Sequence, residues 1–526
     1  MRNWLLLPGT ALAICAASVS CGRRGEEHRG TAKHVVLIVC DGMRGDFVRE
    51  ESCPNLWKLA QEGVTFRRHH SVYPSLTNVN GTVLATGVYP GRSGVIANRE
   101  YRPRINPAGP VDAAVAETIG AGDEATGGRY LAASTVPEIL QQAGRRTALA
   151  GTKWISVLFD RAVDRTGEQA SRFPLVTSGK GRPPALHQSL VDSLGEFPAR
   201  ALPNQGQDEW TASALLDHLW RDGVPDFSLL WLSDPDYSEH DTAPGTPTAL
   251  AAIRNSDAIL GKLLAVLEEK QLRAATDIFV VSDHGFSTIE RAHDLPAMLR
   301  EAGFSAAKKF DGEPERGQIL VAGNSGTTLF YVAGRDEGTT ARLVEWLQQS
   351  DFAGVIFTRQ KFDGTFAMDE AHLAKEDGPD VIMSFRWNDA TNSFGVPGRI
   401  MSDWNRPAGQ GTHGTLSRFD LHNMLIAAGP DFRRGHTSEV PSANLDVAPT
   451  ILHIFGITPR APLDGRVLHE AMTSGRAQDP EVRVERREAR RSFGPASWEQ
   501  YLQLSRVGEH VYIDEGNGAF LPASNR

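Results

Sequence analysis

His34-Val35-Val36-Leu37-Ile38-Val39-Cys40-Asp41-Gly42 decides the reading of this chain: an unbroken apolar run that stops at an acid and a glycine. A run this short, rich in β-branched residues and apolar at successive positions reads as a strand buried on both faces of a largely parallel sheet. The same pattern returns at Phe227 to Leu232 before Asp236, and at Ile278 to Val281 before Asp283. In open α/β sheets ligands bind beyond the carboxyl ends of the strands, so three acids from remote parts of the chain are expected along one edge. The predicted class is α/β, with a largely parallel central sheet flanked by helices and an inserted cap subdomain.

Imidazoles accompany the acids at chelating spacing. In Asp236-Tyr237-Ser238-Glu239-His240 the acid and the imidazole are four apart, so one helical turn after the strand aims both at a single ion. Asp283 and His284 are adjacent in Val281-Ser282-Asp283-His284-Gly285, a turn in which side chains escape strand alternation and Gly285 relieves the backbone. His413 stands in Gly411-Thr412-His413-Gly414, whose glycines are expected to leave room for a metal against the backbone. Singly, an Asp at a strand end is more often a turn former or cap, and a loop His is usually solvated. Their succession points instead to a two-metal hydrolase, in which divalent ions about 4 Å apart bind the attacking and departing oxygens of an in-line phosphoryl displacement. Mixed carboxylate and imidazole ligands suit zinc, and two Zn2+ per chain are expected. Thr77 opens a segment to Gly87 that reads as a short helix closed by glycine, so its hydroxyl sits at an anion-attracting N-terminus. An N-cap is the plainer role for a threonine there.

As a set these motifs resemble the alkaline phosphatase superfamily, and within it the type I phosphodiesterase/nucleotide pyrophosphatase branch, over roughly residues 34–467. The resemblance rests on the β-run into Asp41-Gly42, Tyr73-Pro74-Ser75-Leu76-Thr77, Ala85-Thr86-Gly87-Val88-Tyr89-Pro90 and Gly94-Val95-Ile96-Ala97-Asn98. It continues through Asp234-Pro235-Asp236, Ser282-Asp283-His284-Gly285 and Gly411-Thr412-His413-Gly414. It implies an alkaline-phosphatase-like fold and a two-zinc hydrolase of phosphate esters. One zinc would take Asp236, His240 and His413, and the other Asp41, Asp283 and His284. Thr77 matches the nucleophile that also touches metal and forms a phosphothreonine. Asn98 matches an asparagine whose amide donates to a non-bridging phosphate oxygen; a turn residue is its plainer role.

The chain departs from the diesterase pattern at two places. Asn78-Val79-Asn80 stands where that branch usually has Phe-Pro-Asn, and Glu239 replaces a common glycine before the second ligand. Thr147-Ala148-Leu149-Ala150-Gly151-Thr152-Lys153 reads as another strand ending in a lysine. Lysines so placed bind a terminal phosphoryl charge in monoesterase and phosphonate-hydrolase relatives, which makes Lys153 a candidate substrate-binding residue; a solvated lysine is the alternative. Phosphomonoesterase or phosphonate hydrolase is therefore the second reading, and a non-catalytic zinc-stabilised binding protein the third. A sulfatase would need a Cys-x-Pro-x-Arg setting, which Cys40-Asp41-Gly42 and Cys53-Pro54-Asn55 fail, and a cofactor-independent phosphoglycerate mutase would carry serine at Thr77.

Composition agrees with one large catalytic domain. The chain has 526 residues, is 40% hydrophobic and 23% charged, and can bury a sizeable core. A net charge of −9 offers no overall attraction for a nucleic-acid polymer, so the expected partner is a small phosphate ester. Residues 1–21 read as an export signal: Arg2, the apolar stretch Trp4 to Ala17, then Ser18-Val19-Ser20-Cys21. Two outcomes stay open, membrane anchoring by acylated Cys21 with 22–33 as a tether, or simple cleavage after Ser20. Either implies an exported protein, periplasmic or an outer-membrane lipoprotein of a bacterium. The catalytic domain is expected over 34–526, with insertions at about 164–207, read as a loop or lid, and 301–401, read as a smaller α/β cap. Asn444 to Phe455 reads as a helix on the core, the charged run Glu481 to Arg491 as a solvated helix face, and His510 to Asp514 as a last strand. No spacing rule pairs Cys40 with Cys53.

Overall fold

The apolar run of residues 34–40 forms the middle strand of a nine-stranded sheet. The computed structural model describes Met1 and residues 30–161, 167–475 and 478–523. In chain order the sheet contains β1 (His34–Cys40), β2 (Val64–Phe66), β3 (Thr147–Gly151), β4 (Leu175–Thr177), β5 (Lys180–Arg182), β6 (Phe227–Leu232), β7 (Thr276–Val281), β8 (Leu425–Ala428) and β9 (His436–Ser438). They lie side by side as β9-β2-β8-β7-β1-β6-β3-β4-β5. The centre is parallel, with β1 between β7 and β6, and β3 beyond β6. Antiparallel pairs occur further out, where β8 meets β7 and β2, and β5 meets β4.

Both faces of the central strands are covered, which is why they are apolar without alternation. Val35, Leu37 and Val39 pack with Leu229, Trp231 and Phe279 under the helix Val447–Ile454. Val36, Ile38 and Cys40 pack on the other face with Ile253, Leu260 and Leu263 of the helix Pro247–Glu269. Each such side chain, 0–1% exposed from Val35 to Val39, contributes about 1.5–3 kcal/mol on burial. The parallel centre leaves the carboxyl ends of β1, β6, β7 and β3 on one side, and the loops that follow carry Asp41, Asp236, Asp283 and Lys153. Cys40 and Cys53 are buried free thiols. Among the described residues no helix is long and apolar enough to cross a membrane.

A second sheet of six strands is built from Ala306–Ala307, Ile319–Asn324, Thr327–Val332, Ala353–Thr358, Phe366–Ala367 and Val381–Phe385. Its helix, Glu337–Gln348, buries Leu343, Val344 and Leu347 against it. Asn324 joins this cap to the catalytic layer, its Oδ1 accepting from Arg99 N (2.7 Å) and its Nδ2 donating to Arg99 O (2.9 Å).

Two segments depart from their sequence reading. Residues 164–207, rich in Gly, Pro and basic side chains, contain the helices Gly167–Arg172 and Pro184–Leu194 as well as β4 and β5, which widen the central sheet. Leu175 and Val176 are buried and can pair with β3, so this part is sheet rather than loop. The charged run Glu481 to Arg491 is no helix but the strand Val482–Phe493, paired along its length with Ala496–Val507, which in turn pairs with His510–Leu521. An edge strand can carry as many solvated charges as a helix face, and what separates the two is the partner strand. Here Arg490 meets Glu499 (3.2 Å) and Glu485 meets Arg506 (2.8 Å) across the ladder.

Trp498 anchors this C-terminal sheet: it is fully buried in the cap's core and its Nε1 donates to Gly364 O (3.0 Å). Trp498→Ala is expected to cost about 3–5 kcal/mol of unfolding free energy by denaturant titration. A loss below about 1 kcal/mol would show that the C-terminal sheet is not integrated with the core.

Candidate metal centre and nucleophile

Each acid is delivered by the turn that ends its strand. Asp41 follows β1, and Gly42 must adopt φ +76° with Asp236 Cβ and Phe286 only 3.0 Å from where a Cβ would stand. A glycine is needed there on both counts. Its N–H donates to Asp283 Oδ1 (3.1 Å), while Asp236 N donates to Asp41 O (3.0 Å), so the three turns hold one another. Asp236 opens the short helix Asp236–Asp241 after β6, and His240 comes round one turn later with Nε2 3.3 Å from Asp236 Oδ1.

The imidazoles share one arrangement. His240 Nδ1 lies 3.1 Å from Gly411 O, His284 Nδ1 2.9 Å from Gly285 O, and His413 Nδ1 2.7 Å from Ser75 O. A carbonyl only accepts, so each Nδ1 carries the proton and each neutral ring presents an Nε2 lone pair. Those lone pairs face the acids: His413 Nε2 is 3.5 Å from Asp236 Oδ1, and His284 Nε2 is 3.3 Å from Asp283 Oδ2 and 3.7 Å from Asp41 Oδ1. His284 and His413 stack with centroids 3.5 Å apart.

Two groups of three emerge with ligand atoms within 4.8 Å of one another, Asp41, Asp283 and His284, and Asp236, His284 and His413. The first is the trio read from sequence. In the second His284 stands where His240 was expected, because its Nε2 is central to both clusters; His240 remains beside Asp236. Asp236 Oδ1 and Asp283 Oδ2 are buried without a hydrogen-bond partner, and Asp41 Oδ1 has only the Lys153 ammonium beside it, 3.0 Å away. Unsatisfied carboxylate oxygens facing imidazole lone pairs fit divalent cations and little else.

The glycines around His413 have a different purpose from the one expected. A Cβ on Gly411 would stand 2.5 Å from Glu239 O, and Gly414 has φ +110°. They admit neighbouring backbone rather than a metal. Likewise Gly285 is required by the approach of Phe419 O, 2.1 Å from its would-be Cβ.

Thr77 is the first residue of the helix Thr77–Thr86, which Gly87 closes in the left-handed conformation as its sequence position suggests. Its Oγ1 lies 3.1 Å from His284 Nε2. Asn98 reaches the same helix end: its Oδ1 accepts from Asn78 N (2.8 Å), which leaves Nδ2 as the side chain's donor. Lys153 enters the site too, with Nζ 2.5 Å from Asp236 Oδ2 and 3.0 Å from Asp41 Oδ1. It is neither solvated nor free, since both carboxylates already engage its charge.

Electrostatics separates the acids. Burial, then Asp283, pushes the Asp41 carboxyl well above the usual range, and burial also raises Asp283. Burial would raise Asp236 as well, yet Lys153 and then His240 outweigh it and hold that carboxyl well below. Burial lowers His240 and His413, keeping both rings neutral. Glu239, which replaces the usual glycine, is buried, and desolvation pushes its carboxyl well above the usual range.

Several supporting residues carry no sequence signal. Trp231, read only as an apolar strand residue, donates Nε1 to Asp41 Oδ2 (2.8 Å). Asn80 Nδ2 donates to Val72 O (2.9 Å) and Pro74 O (3.2 Å), holding the loop before Thr77. Asn444 Nδ2 donates to Asn80 Oδ1 (3.1 Å) and to Asp283 O (2.8 Å), tying that loop to the acid turn.

A profile of type I phosphodiesterase / nucleotide pyrophosphatase matches residues 35–369, well over half of the chain. The chain belongs to that family. It is a metal-dependent phosphoric ester hydrolase, and phosphodiester hydrolysis is the chemistry of its relatives. Human ectonucleotide pyrophosphatase/phosphodiesterase family member 7 is 22% identical over 459 residues, 86% of this chain and 87% of its own length. Venom phosphodiesterase 2 of Crotalus adamanteus is 23% identical over 257 residues, covering 48% of this chain and 27% of the venom protein. Murine ectonucleotide pyrophosphatase / phosphodiesterase 5, solved as an inactive variant with AMP, superposes with a TM-score of 0.58 at 17% identity, covering 84% of this chain and all of the solved one. The shared fold is the alkaline-phosphatase-like α/β arrangement with a cap.

Trp231→Phe keeps most of the ring volume and removes the donor to Asp41. Outer partners of ligating groups are typically worth 10–100-fold, so kcat/KM on an aryl phosphodiester is expected to fall by about that factor with little change in Tm. Unchanged turnover would show that Asp41 needs no such orientation.

Proposed function

We propose that this protein hydrolyses small phosphodiesters or nucleotide pyrophosphates with two zinc ions and a phosphothreonine formed on Thr77. The observation that carries the reading is the convergence of the Thr77 hydroxyl, three imidazole Nε2 atoms and three buried carboxylates at one end of the parallel sheet. Asp41, Asp283 and His284 would hold one ion, and Asp236, His240 and His413 the other, with His284 at their border. Zinc supplies positive charge for the phosphoryl oxygens and eases ionisation of a hydroxyl brought against it.

The chain's own groups do the rest. Thr77 Oγ1 attacks phosphorus from the helix N-terminus, where backbone N–H groups favour an anion. The leaving alkoxide or nucleotide departs in line, and Asn98 Nδ2 donates to a non-bridging oxygen as negative charge accumulates. Water then attacks the same phosphorus and restores the Thr77 hydroxyl, so two displacements give net retention. Murine member 5 was solved as an inactive threonine-to-alanine variant with AMP, which supports both a threonine nucleophile and a nucleotide-sized ligand. The net charge of −9 supports a small ester over a nucleic-acid polymer.

Lys153 favours a second reading, a phosphomonoesterase or phosphonate hydrolase. Its ammonium is only 10% exposed and sits between Asp41 and Asp236, where metal binding to those acids would release it toward a terminal phosphoryl oxygen. Export is part of the proposal as well, with anchoring through Cys21 as one form of it; Cys21 lies outside the described residues.

Paired aryl mono- and diesters test these readings together. Thr77→Ala is expected to retain both zinc ions of the catalytic centre and lose at least about three orders of magnitude in kcat, with Thr77→Ser keeping part of it. Chelation should abolish turnover and zinc restore it. Full activity in Thr77→Ala or in metal-stripped protein would overturn the mechanism, and strong preference for the monoester would favour the second reading.

A further inference from the structure

Outside this site, three more metal-binding side chains converge from distant parts of the chain. His70 lies in the strand His69–His70, His422 follows the helix Arg418–Leu421, and Asp514 lies within the last strand, His510–Leu521. Each offers one ligand atom, and these atoms are all within 4.8 Å of one another. His70 and Asp514 are buried, and His422 is nearly so.

The hydrogen bonds leave a cation-shaped gap in the accounting of polar atoms. His70 Nδ1 lies 3.0 Å from Ser442 O, a pure acceptor, so Nδ1 carries the proton. In the neutral ring Nε2 then presents a lone pair, and it faces Asp514 Oδ1 at 3.1 Å. A neutral ring there would set a lone pair against the carboxylate, which either a proton on Nε2 or a cation between the two relieves. Asp514 Oδ2 accepts from Ser505 Oγ (2.7 Å), which aims Oδ1 at the imidazoles. His70 Nε2, His422 Nε2 and Asp514 Oδ1 are all buried without a hydrogen-bond partner. The second ring is close, with centroids 4.5 Å apart and near-perpendicular planes. Arg68 is the competing charge, but its Nη2 stays 3.6 Å from Asp514 Oδ1 and donates instead to Ser505 Oγ (2.6 Å).

We propose that His70, His422 and Asp514 bind a separate zinc-class divalent ion that fastens the C-terminal sheet to the catalytic layer. Bonds of about 2.0–2.2 Å in a tetrahedron separate neighbouring ligand atoms by roughly 3.3–3.6 Å, close to the His70–Asp514 spacing. Two imidazoles and one carboxylate suit zinc over calcium or magnesium, which require oxygen ligands in greater number. Three protein ligands leave one position for solvent. His422 lines a cavity of about 520 Å³ together with Arg44, Trp57, Phe419 and Asn423, which provides an entry path. The ion would cross-link residue 70, residue 422 and residue 514, none of which touch through the ladder of any one sheet.

Zinc content by mass spectrometry, after equilibration with zinc and removal of unbound metal, tests this on the full chain. Asp514→Asn and His422→Gln, which keep side-chain size, are each expected to hold one zinc per chain fewer than the wild type while retaining aryl diester hydrolysis within about threefold. Zinc should also raise the Tm of an active-site variant, Asp283→Ala, and this rise should shrink when His422→Gln is added. The difference between wild type and variant reads this site whatever number of ions the catalytic centre holds, so the two proposals fail separately. Equal zinc content in the wild type and both variants would overturn it, as would an undiminished Tm rise in the double variant should either single variant fold poorly.

Discussion

Three carboxylates buried within a few ångströms of one another are the constraint around which this structure is arranged. Burying even one unpaired charge is costly, and Asp41, Asp236 and Asp283 also repel each other. Lys153 offsets part of that charge and favours Asp236, leaving Asp41 and Asp283 with proton affinities raised by burial. Divalent cations complete the balance. A buried acidic cluster of this kind is unfavourable for folding on its own, and its retention in an otherwise well-packed sheet is an argument for function.

The rest of the fold keeps those acids from relaxing apart. Parallel strands bring their carboxyl ends to one side, and each following turn is bound to another ligand's turn through Gly42 N and Asp236 N. Trp231 fixes Asp41 from inside the sheet, while Asn80 and Asn444 bind the Thr77 loop to the Asp283 turn. Backbone carbonyls set the tautomers of His240, His284 and His413, so the rings are prepared to ligate before a metal arrives. Thr77 and the candidate ligands therefore depend on the same backbone network.

Much of this was legible in the sequence because it depends on local pattern. An apolar run ending in an acid identifies a buried parallel strand and its loop, as at Asp41, Asp236 and Asp283. The four-residue spacing of Asp236 and His240 becomes one helical turn, and Thr77 with Gly87 brackets a helix. What stayed hidden depends on partners far along the chain. Residues 482–493 become a strand because residues 496–507 pair with them, and no periodicity within the run reveals it. Gly285, Gly411 and Gly414 are glycines because other backbone passes close by or the chain turns left-handed, neither of which is visible before the fold is known. Trp231 looks like any core residue until its N–H is seen to meet a carboxylate, and the engagement of Lys153 by two of the acids is equally non-local.

Diffraction from zinc-equilibrated crystals of the wild type, collected on both sides of the zinc absorption edge, tests the central claim most directly. The account predicts two anomalous peaks about 4 Å apart at the ends of β1, β6 and β7, one among Asp41, Asp283 and His284 and the other beside Asp236, His240 and His413, with Thr77 Oγ1 against one of them. A pocket with no peak, in which Lys153 alone neutralises the acids, would contradict it.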